Sequence, residues 1–297
     1  MLKKMMSKHF MAAALTTALI TASSALGQAM EEGFVDSNGA RIHYKSMGQG
    51  PTMFLIHGFP LNGDFFKDNA SALSKNYRVV TIDLRGFGQS TTDKADPGSV
   101  GTYANDALAV MDKLGVQKAV VGGMSMGGQI ALELYRKAPE RFSGMVLIAT
   151  LANPASITEQ NLWKGISLQA QAYGVKSIVP ELIKDMITGK DTAARPDLKK
   201  FLESLMKASS VEGIKQGTNA LANRPDSLPT LKTIAVPTLI VVGQEDTVYP
   251  VVFSLKMAQN IPNSKLVVVP SAAHAVNAES AAASNKAIMD WAAQNIK

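Results

Sequence analysis

The sequence contains no cysteine, which excludes disulfide bridges, thiolate metal sites and a cysteine nucleophile. Aromatic residues make up only 6% of the chain, so the core must be mainly aliphatic. No basic cluster with interleaved aromatic residues is present, and we therefore expect no nucleic-acid binding. The 297 residues are 46% hydrophobic and 18% charged. This composition is typical of one large globular domain, or of a domain with an insertion.

The first 29 residues have the pattern of a secretory signal peptide. Three lysines precede an apolar run over residues 10–26, and small residues follow it. An uncleaved membrane anchor is the alternative, but the run is short and rich in Thr and Ser for a span of about 20 apolar residues. We therefore expect a mature chain that begins at Gln28 or Met30, is exported to the periplasm or the exterior, and has no stable membrane anchor. Without these three lysines the formal net charge falls from +6 to +3.

Segments rich in aliphatic and β-branched residues alternate with helical segments through most of the chain. Such alternation predicts an α/β fold whose central sheet is mostly parallel and covered by helices on both faces. Residues 151–229 interrupt the pattern, because they show helical periodicity without an apolar strand. We therefore predict a core formed by residues 30–150 and 230–297, with residues 151–229 inserted as a helical cap.

Ser125 occupies a position typical of a catalytic nucleophile. It lies in Gly123-Met124-Ser125-Met126-Gly127, after a predicted strand and before a predicted helix. The Gly-x-Ser-x-Gly pattern in this context is the nucleophile elbow, in which glycines make room for a tight turn around the serine. The N-terminus of the following helix favours developing negative charge. A glycine-rich structural turn is the alternative interpretation.

A serine nucleophile needs a base that removes its proton. The chain has four histidines, and only His274 lies downstream of Ser125, just after a predicted strand. Active-site groups collect at the carboxyl ends of parallel strands, so His274 is the predicted base. The carboxylate that orients it should also follow a strand end, and the residues alone leave Glu245 and Asp246 as alternatives.

The oxyanion of the reaction needs two hydrogen-bond donors. One donor should be the backbone N–H of Met126, which follows the nucleophile. The other should come from the loop after the strand at residues 52–58. Phe59 is the candidate there, because Pro60 has no N–H. We expect His57 to stiffen this loop through side-chain hydrogen bonds.

Taken together, five motifs resemble those of the α/β-hydrolase superfamily, and the resemblance extends from about residue 33 to residue 293. The motifs are HGFP (57–60), DLRGFGQS (83–90), GMSMGG (123–128), GQEDTVYP (243–250) and HAVNAE (274–279). The spacing of the acid loop in this superfamily favours Asp246 over Glu245. Asp83, Arg85 and Ser90 are then expected to hold a loop near the site. Within the superfamily, the chain is similar to capped serine esterases and lactonases, namely 3-oxoadipate enol-lactonases and cofactor-free haloperoxidases.

The resemblance implies a serine hydrolase that cleaves a small or medium ester or lactone through an acyl-enzyme, with no metal or organic cofactor. Trp163 and Val248 are expected to line the substrate pocket, and Lys164, Lys184 or Arg224 could hold a substrate carboxylate. Three alternatives stay open: a perhydrolase or haloperoxidase on the same triad, a carbon–carbon or amide hydrolase, and a ligand receptor on the hydrolase fold. The sequence does not predict the oligomeric state.

Overall fold

The computed structural model describes residues 30–296, and the predicted signal peptide lies outside the described residues. Eight strands form one sheet in the order β1-β2-β4-β3-β5-β6-β7-β8. The strands are β1 (Glu31–Ser37), β2 (Ala40–Met47), β3 (Thr52–Ile56), β4 (Arg78–Ile82), β5 (Ala119–Met124), β6 (Phe142–Ile148), β7 (Thr238–Gly243) and β8 (Ser264–Val269). Strand β2 runs antiparallel to both of its neighbours, β1 and β4, and the other five strand pairings of the described residues are parallel. The predicted α/β architecture is therefore confirmed.

The helices of the described residues fall into two sets. Those that flank the sheet are α1 (Lys67–Leu73), α2 (Val100–Lys113), α3 (Met126–Lys137), α10 (Val251–Asn260), α11 (Val276–Glu279) and α12 (Ala281–Asn295). Those between β6 and β7 are α4 (Ile157–Tyr173), α5 (Val179–Leu182), α6 (Gly189–Ala194), α7 (Pro196–Lys207), α8 (Val211–Ala222) and α9 (Leu228–Leu231). No helix within residues 30–296 combines the length and the apolar character that crossing a bilayer requires.

The core is divided into two layers by the sheet. Alternate residues of β3 point to opposite faces, as a strand period of two requires. Phe54 and Ile56 pack in one buried cluster with apolar residues of α2 and α3, while Met53 and Leu55 pack in a second cluster with residues of α1 and α12. Both faces of the central strands are buried, so these strands have continuous apolar sequences rather than alternating ones.

Local signals explain how several elements begin and end. Asn38 and Gly39 connect β1 to β2 with φ values of 41° and 78°, which is the backbone of the hairpin turn that Asn-Gly favours. Helix α4 begins with a capping box between Ser156 and Glu159. The periodicity predicts one helix over residues 277–295, but the structure divides it at Ser280, whose backbone is not helical.

Candidate active site

Ser125 lies in the turn that joins β5 to α3, and its φ of 54° and ψ of −119° are outside the regions that L-residues favour. Its neighbours allow no side chain at two positions. A Cβ on Gly123 would lie 2.1 Å from the carbonyl oxygen of Gly127, and a Cβ on Gly127 would lie 2.1 Å from that of Ile56. The turn therefore requires glycine at both positions, as the sequence predicts, and holds Ser125 at the carboxyl edge of the sheet.

Asp246 and His274 are joined directly. The Nδ1 of His274 lies 2.9 Å from Oδ2 of Asp246. The other carboxylate oxygen, Oδ1, accepts the backbone N–H groups of Val248 and Tyr249, each at 2.9 Å. Both side chains are buried. Because two backbone N–H groups fix the Asp246 carboxylate, it can fix the orientation of His274, whereas the neighbouring Glu245 is exposed.

Two other residues connect this pair to the elbow. The Tyr249 ring packs edge-on against the His274 ring at 5.5 Å between centroids, and its hydroxyl accepts the side-chain N–H of Gln129 at 3.2 Å. Gln129 lies in the first turn of α3, where its backbone N–H bonds to the Ser125 carbonyl. The contacts among the described residues do not include a direct hydrogen bond between the Ser125 side chain and His274.

The loop after β3 is held by His57, as expected. The Nδ1–H of His57 donates to the Gly58 carbonyl at 2.8 Å, and Nε2 accepts the Leu84 N–H at 2.9 Å. Burial lowers the pKa of His57 to about 4, so the ring is neutral at physiological pH and keeps one tautomer. A Cβ on Gly58 would lie 3.0 Å from the Ser125 Cβ. The HGFP loop is therefore rigid and touches the elbow.

The DLRGFGQS loop is held by buried polar contacts, as expected. Asp83 accepts the N–H groups of Gly63 and Gln89, and Ser90 donates to the Asp83 carbonyl at 2.6 Å. The guanidinium of Arg85 is fully buried and pairs with Asp106 at 2.6 Å and 2.7 Å. These contacts fix the position of the loop.

The family follows from a comparison with known proteins. The family model described as "alpha/beta hydrolase fold" matches residues 51–281. The chain belongs to the α/β-hydrolase family. It is a hydrolase enzyme whose relatives include esterases, lactonases and haloperoxidases, and the suspected resemblance is confirmed.

Three relatives are similar over most of their own length. A non-heme chloroperoxidase of Kitasatospora aureofaciens is 30% identical over 251 residues, which cover 80% of this chain and 90% of the relative. A 3-oxoadipate enol-lactonase of Acinetobacter baylyi is 27% identical and covers 83% and 91%. The structure of a thermophilic esterase from Thermogutta terrifontis, with malate bound, has a TM-score of 0.85 and 28% identity and covers 90% of this chain and 100% of its own.

The two residues predicted to line the substrate pocket, Trp163 and Val248, lie in different elements of this α/β-hydrolase. The half-buried Trp163 ring, on α4, meets the Phe59 ring edge-on at 5.7 Å. The half-buried Val248 lies in the acid loop, where its backbone binds Asp246.

Met126 is fully buried at the first position of α3. The first N–H groups of a helix have no partner within the helix, so the Met126 N–H is suited to the predicted oxyanion role.

Three cations were candidates for holding a substrate carboxylate. The structure contradicts this role for Arg224, and Lys184 forms an ion pair elsewhere. Arg224 is buried and pairs with Glu159 at 2.7 Å, and it also donates to the carbonyl of Asn153. Its guanidinium joins α4 to the segment after α8 and is not available to a ligand. Lys184 pairs with Glu181 at 2.5 Å on the exposed surface, while Lys164 forms no ion pair among the described residues.

Sequence reasoning missed the residues that support this site. Tyr249 and Gln129 are two of them. Glu279 is a third: its buried carboxylate accepts the Ala273 N–H and the Thr188 N–H, both at 2.6 Å. It thereby ties the histidine loop to the helices between β6 and β7. A glutamate five residues after the histidine is the only signal in the sequence for this contact.

Within residues 30–296, no group of three or more His, Cys, Asp or Glu side chains could hold a metal ion.

Proposed function

We propose that the protein cleaves a small or medium ester or lactone through an acyl-enzyme on Ser125, with His274 as base and Asp246 as the orienting carboxylate. The observation that carries this proposal is the pairing of Asp246 with His274 beside an elbow that holds Ser125 at a φ of 54°. A serine in such a turn is costly to the backbone and is a feature of functional sites.

In the proposed mechanism, the carboxylate determines which nitrogen of His274 is basic. The Nδ1–H donates to Asp246, which leaves the lone pair of Nε2 free to take the Ser125 proton. The Ser125 oxygen then attacks the carbonyl carbon, and His274 returns the proton to the leaving alcohol. Water repeats the sequence on the acyl-enzyme. Asp246 stabilises the imidazolium in each half-reaction and keeps its charge.

The oxyanion would be held by the N–H groups of Phe59 and Met126. Two features favour this assignment. The HGFP loop is fixed to the elbow by the His57 contacts, and Met126 begins α3, whose N-terminus carries a partial positive charge of about +0.5. Preorganised donors of this kind contribute about 3–4 kcal/mol each to transition-state stabilisation.

The choice of substrate class rests on the relatives. The names of the similar proteins describe an esterase and a 3-oxoadipate enol-lactonase, and both reactions begin with attack on an ester carbonyl. We propose that residues 151–229 act as a cap over this site, with Trp163 and Val248 in the pocket wall. An enclosed pocket of this kind would favour short acyl groups over lipids.

The test is a kinetic comparison on activated short-chain esters and lactones. Ser125→Ala and His274→Ala should each lower kcat/KM by about 10⁴-fold or more, and the double variant should lose little beyond the worse single variant. Ser71→Ala, on the exposed face of α1, is the matched control and should keep full activity. More than about a tenth of the activity in Ser125→Ala would rule out the serine mechanism. Product release in a single burst without turnover would instead indicate a receptor.

A perhydrolase is the second candidate, because the 30% identical relative is a non-heme chloroperoxidase. On the same acyl-enzyme, hydrogen peroxide would replace water and yield a peracid, which oxidises halide in solution. The ratio of peracid to acid, measured at fixed peroxide, separates the two activities. Ser125→Ala should abolish both products. Peracid formation that persists in this variant would exclude the shared intermediate.

We also propose that the protein is exported and that its mature chain begins at Gln28 or Met30. The support is the lysine-then-apolar pattern of residues 1–29. N-terminal sequencing of protein from the extracytoplasmic fraction tests it. Full-length protein held in the membrane would convert the signal peptide into an anchor.

A further inference from the structure

Helix α4 carries apolar side chains on two opposite faces. On one face Ile166 and Ala170 are buried in the core cluster, where α4 packs against α8. The other face is exposed, yet Ile157 and Tyr173 lie on it with 75% and 80% of their surface open to solvent. A helix that is apolar all round is expected to be buried on all sides. The exposed face of α4 therefore indicates a partner.

This exposed face has the same chemistry when it is read from either end. Gly165 lies at its centre, and Leu162 and Leu168 lie three residues before and after it, at 53% and 57% exposure. Four residues from Gly165 on either side are the exposed amides Asn161 and Gln169. All four side chains fall within about 60° of Gly165 around the helix, since each residue turns the chain by about 100°. The face is thus complementary to a copy of itself that runs in the opposite direction.

The pattern continues toward both ends of α4. Thr158 and Ala172 are exposed and lie seven residues from Gly165, so the three small residues follow nearly one line along the helix. Nothing lies within 4 Å of the place that a Cβ on Gly165 would take. A second helix can therefore approach closely along this line. Ile157 and Tyr173, each eight residues from Gly165, then lie at the two margins of the contact.

We infer that α4 is the contact surface of a symmetric dimer, in which two copies of the chain pack their α4 helices antiparallel and cross at Gly165. A two-fold axis pairs residue i of one copy with residue j of the other, and j with i. Leu162 of each copy then lies beside Leu168 of the other. The dimer does not depend on the proposed function, because it rests on the self-complementary order of the exposed face.

The charges of α4 are compatible with this arrangement. The helix has two charged residues. Glu159 pairs with Arg224 away from the exposed face, and Lys164 is about 100° from Gly165 around the helix. Antiparallel packing also places the N-terminus of each helix, with a partial charge of about +0.5, beside the C-terminus of the other, with about −0.5. No like charges are therefore forced together at the centre of the contact.

The area of the face also suits a dimer. The four large apolar side chains are 53–80% exposed. Side chains of this size have roughly 150–200 Å² of surface each. Together they would bury on the order of 500 Å² per chain and about 1,000 Å² in the pair, which reaches the lower limit for a specific interface.

A lipid surface fits the same face less well. Helices that lie in a membrane interface are rich in Lys and Arg on their polar side, whereas Lys164 is the single cation of α4. In lipid, Asn161 and Gln169 would also lose water without gaining a partner, which is costly for an amide. In the dimer, each of these amides lies beside the other amide of the second copy.

Sedimentation equilibrium of the purified chain tests the dimer. Wild type should dimerise with a dissociation constant of about 1–100 µM, as expected for a small interface. Leu162→Gln/Leu168→Gln should raise this constant about 10-fold or more, because apolar burial drives the association. Val252→Gln/Leu255→Gln on α10 is the matched control, since these side chains are 62% and 44% exposed, and it should dimerise like wild type.

Three results of this experiment would overturn the dimer. They are a wild-type chain that stays monomeric at about 100 µM, an equal loss of association in the α10 control, and a monomer that binds phosphatidylglycerol vesicles through the two leucines. The last result would identify a membrane surface as the partner instead.

Cysteine crosslinking tests the antiparallel arrangement, and it is clean because the chain has no cysteine of its own. In the dimer, Asn161 of one copy lies beside Gln169 of the other, while two copies of either residue are about 12 Å apart along the helices. A disulfide needs Cα atoms within about 7 Å. A mixture of the Asn161→Cys and Gln169→Cys proteins should therefore crosslink about 10-fold faster or more than either protein alone. Equal rates, or faster crosslinking of one variant with itself, would overturn the arrangement.

Discussion

Gly123 offers a sharp test of how the elbow controls activity, through the substitution Gly123→Ala. The new Cβ would lie 2.1 Å from the carbonyl oxygen and 2.2 Å from the carbonyl carbon of Gly127. Heavy atoms in contact prefer separations of about 3.5–4.0 Å, so β5 and the start of α3 must separate by more than about 1 Å. A displacement of that size at a reacting group can lower the rate about 100-fold. The clash should also reduce the free energy of unfolding by about 1–3 kcal/mol.

The matched control is Gly122→Ala, one residue earlier in the same strand. There the new Cβ would meet Cδ2 of Leu55 at 2.8 Å, which is the flexible end of a side chain and can move. We expect kcat/KM within about 3-fold of wild type for this variant. The assay is hydrolysis of a short-chain ester, with thermal unfolding of both variants measured alongside. If Gly123→Ala were as active as Gly122→Ala, the steric account of the elbow would be wrong.

Three further predictions concern other parts of the molecule. Asp246→Asn should lower kcat on the order of 10⁴-fold, while Glu245→Gln should have a mild effect because the Glu245 side chain is exposed. If Glu245→Gln were instead the more damaging substitution in ester hydrolysis, Glu245 and not Asp246 would be the orienting carboxylate. The ring nitrogens of His43 lie 2.9 Å from Asp83 and 2.7 Å from Glu32. Burial alone would lower the pKa of His43, but the hydrogen bonds and charges of these two carboxylates outweigh this and raise the pKa above its usual value of 6.5. The stabilisation that charged His43 provides should therefore be complete below pH 6.5 and disappear as pH rises through the raised pKa. The difference in Tm between wild type and His43→Gln should accordingly shrink from pH 6 to pH 9. A difference in Tm that stays constant over this range would contradict the prediction. At the exposed position Gly165 of α4, the new Cβ of Gly165→Ala meets no atom within 4 Å. This substitution should add about 0.5–1 kcal/mol to the free energy of unfolding, and a lower Tm would refute the prediction.

The sequence predicts most of the fold and the local parts of the site. The elbow is visible because Gly123, Ser125 and Gly127 are close in the chain and their spacing has a steric reason. The hairpin at Asn38 and Gly39 is predicted equally well, since its turn depends on two adjacent residues. Periodicity of apolar residues is enough to predict the alternation of strands and helices.

Contacts between distant parts of the chain explain what the sequence could not predict. Arg224 looked free to bind a carboxylate, but Glu159 neutralises it from 65 residues away. The contact between Gln129 and Tyr249 joins residues 120 positions apart. No sequence pattern indicates which residue pairs with Arg224 or with Gln129. Both contacts therefore depend on the folded arrangement of loops at the carboxyl ends of the strands.

Covalent labelling by a fluorophosphonate tests most directly whether Ser125 is an activated nucleophile. The reagent phosphonylates an activated serine oxygen and releases fluoride, so the reaction reports activation without knowledge of the substrate. We predict one adduct per chain, located on Ser125 by peptide mass spectrometry. The adduct should be absent in Ser125→Ala and form at least about 100-fold more slowly in His274→Ala, because the serine then lacks its base. Labelling of another serine, or an equal labelling rate without His274, would contradict the account.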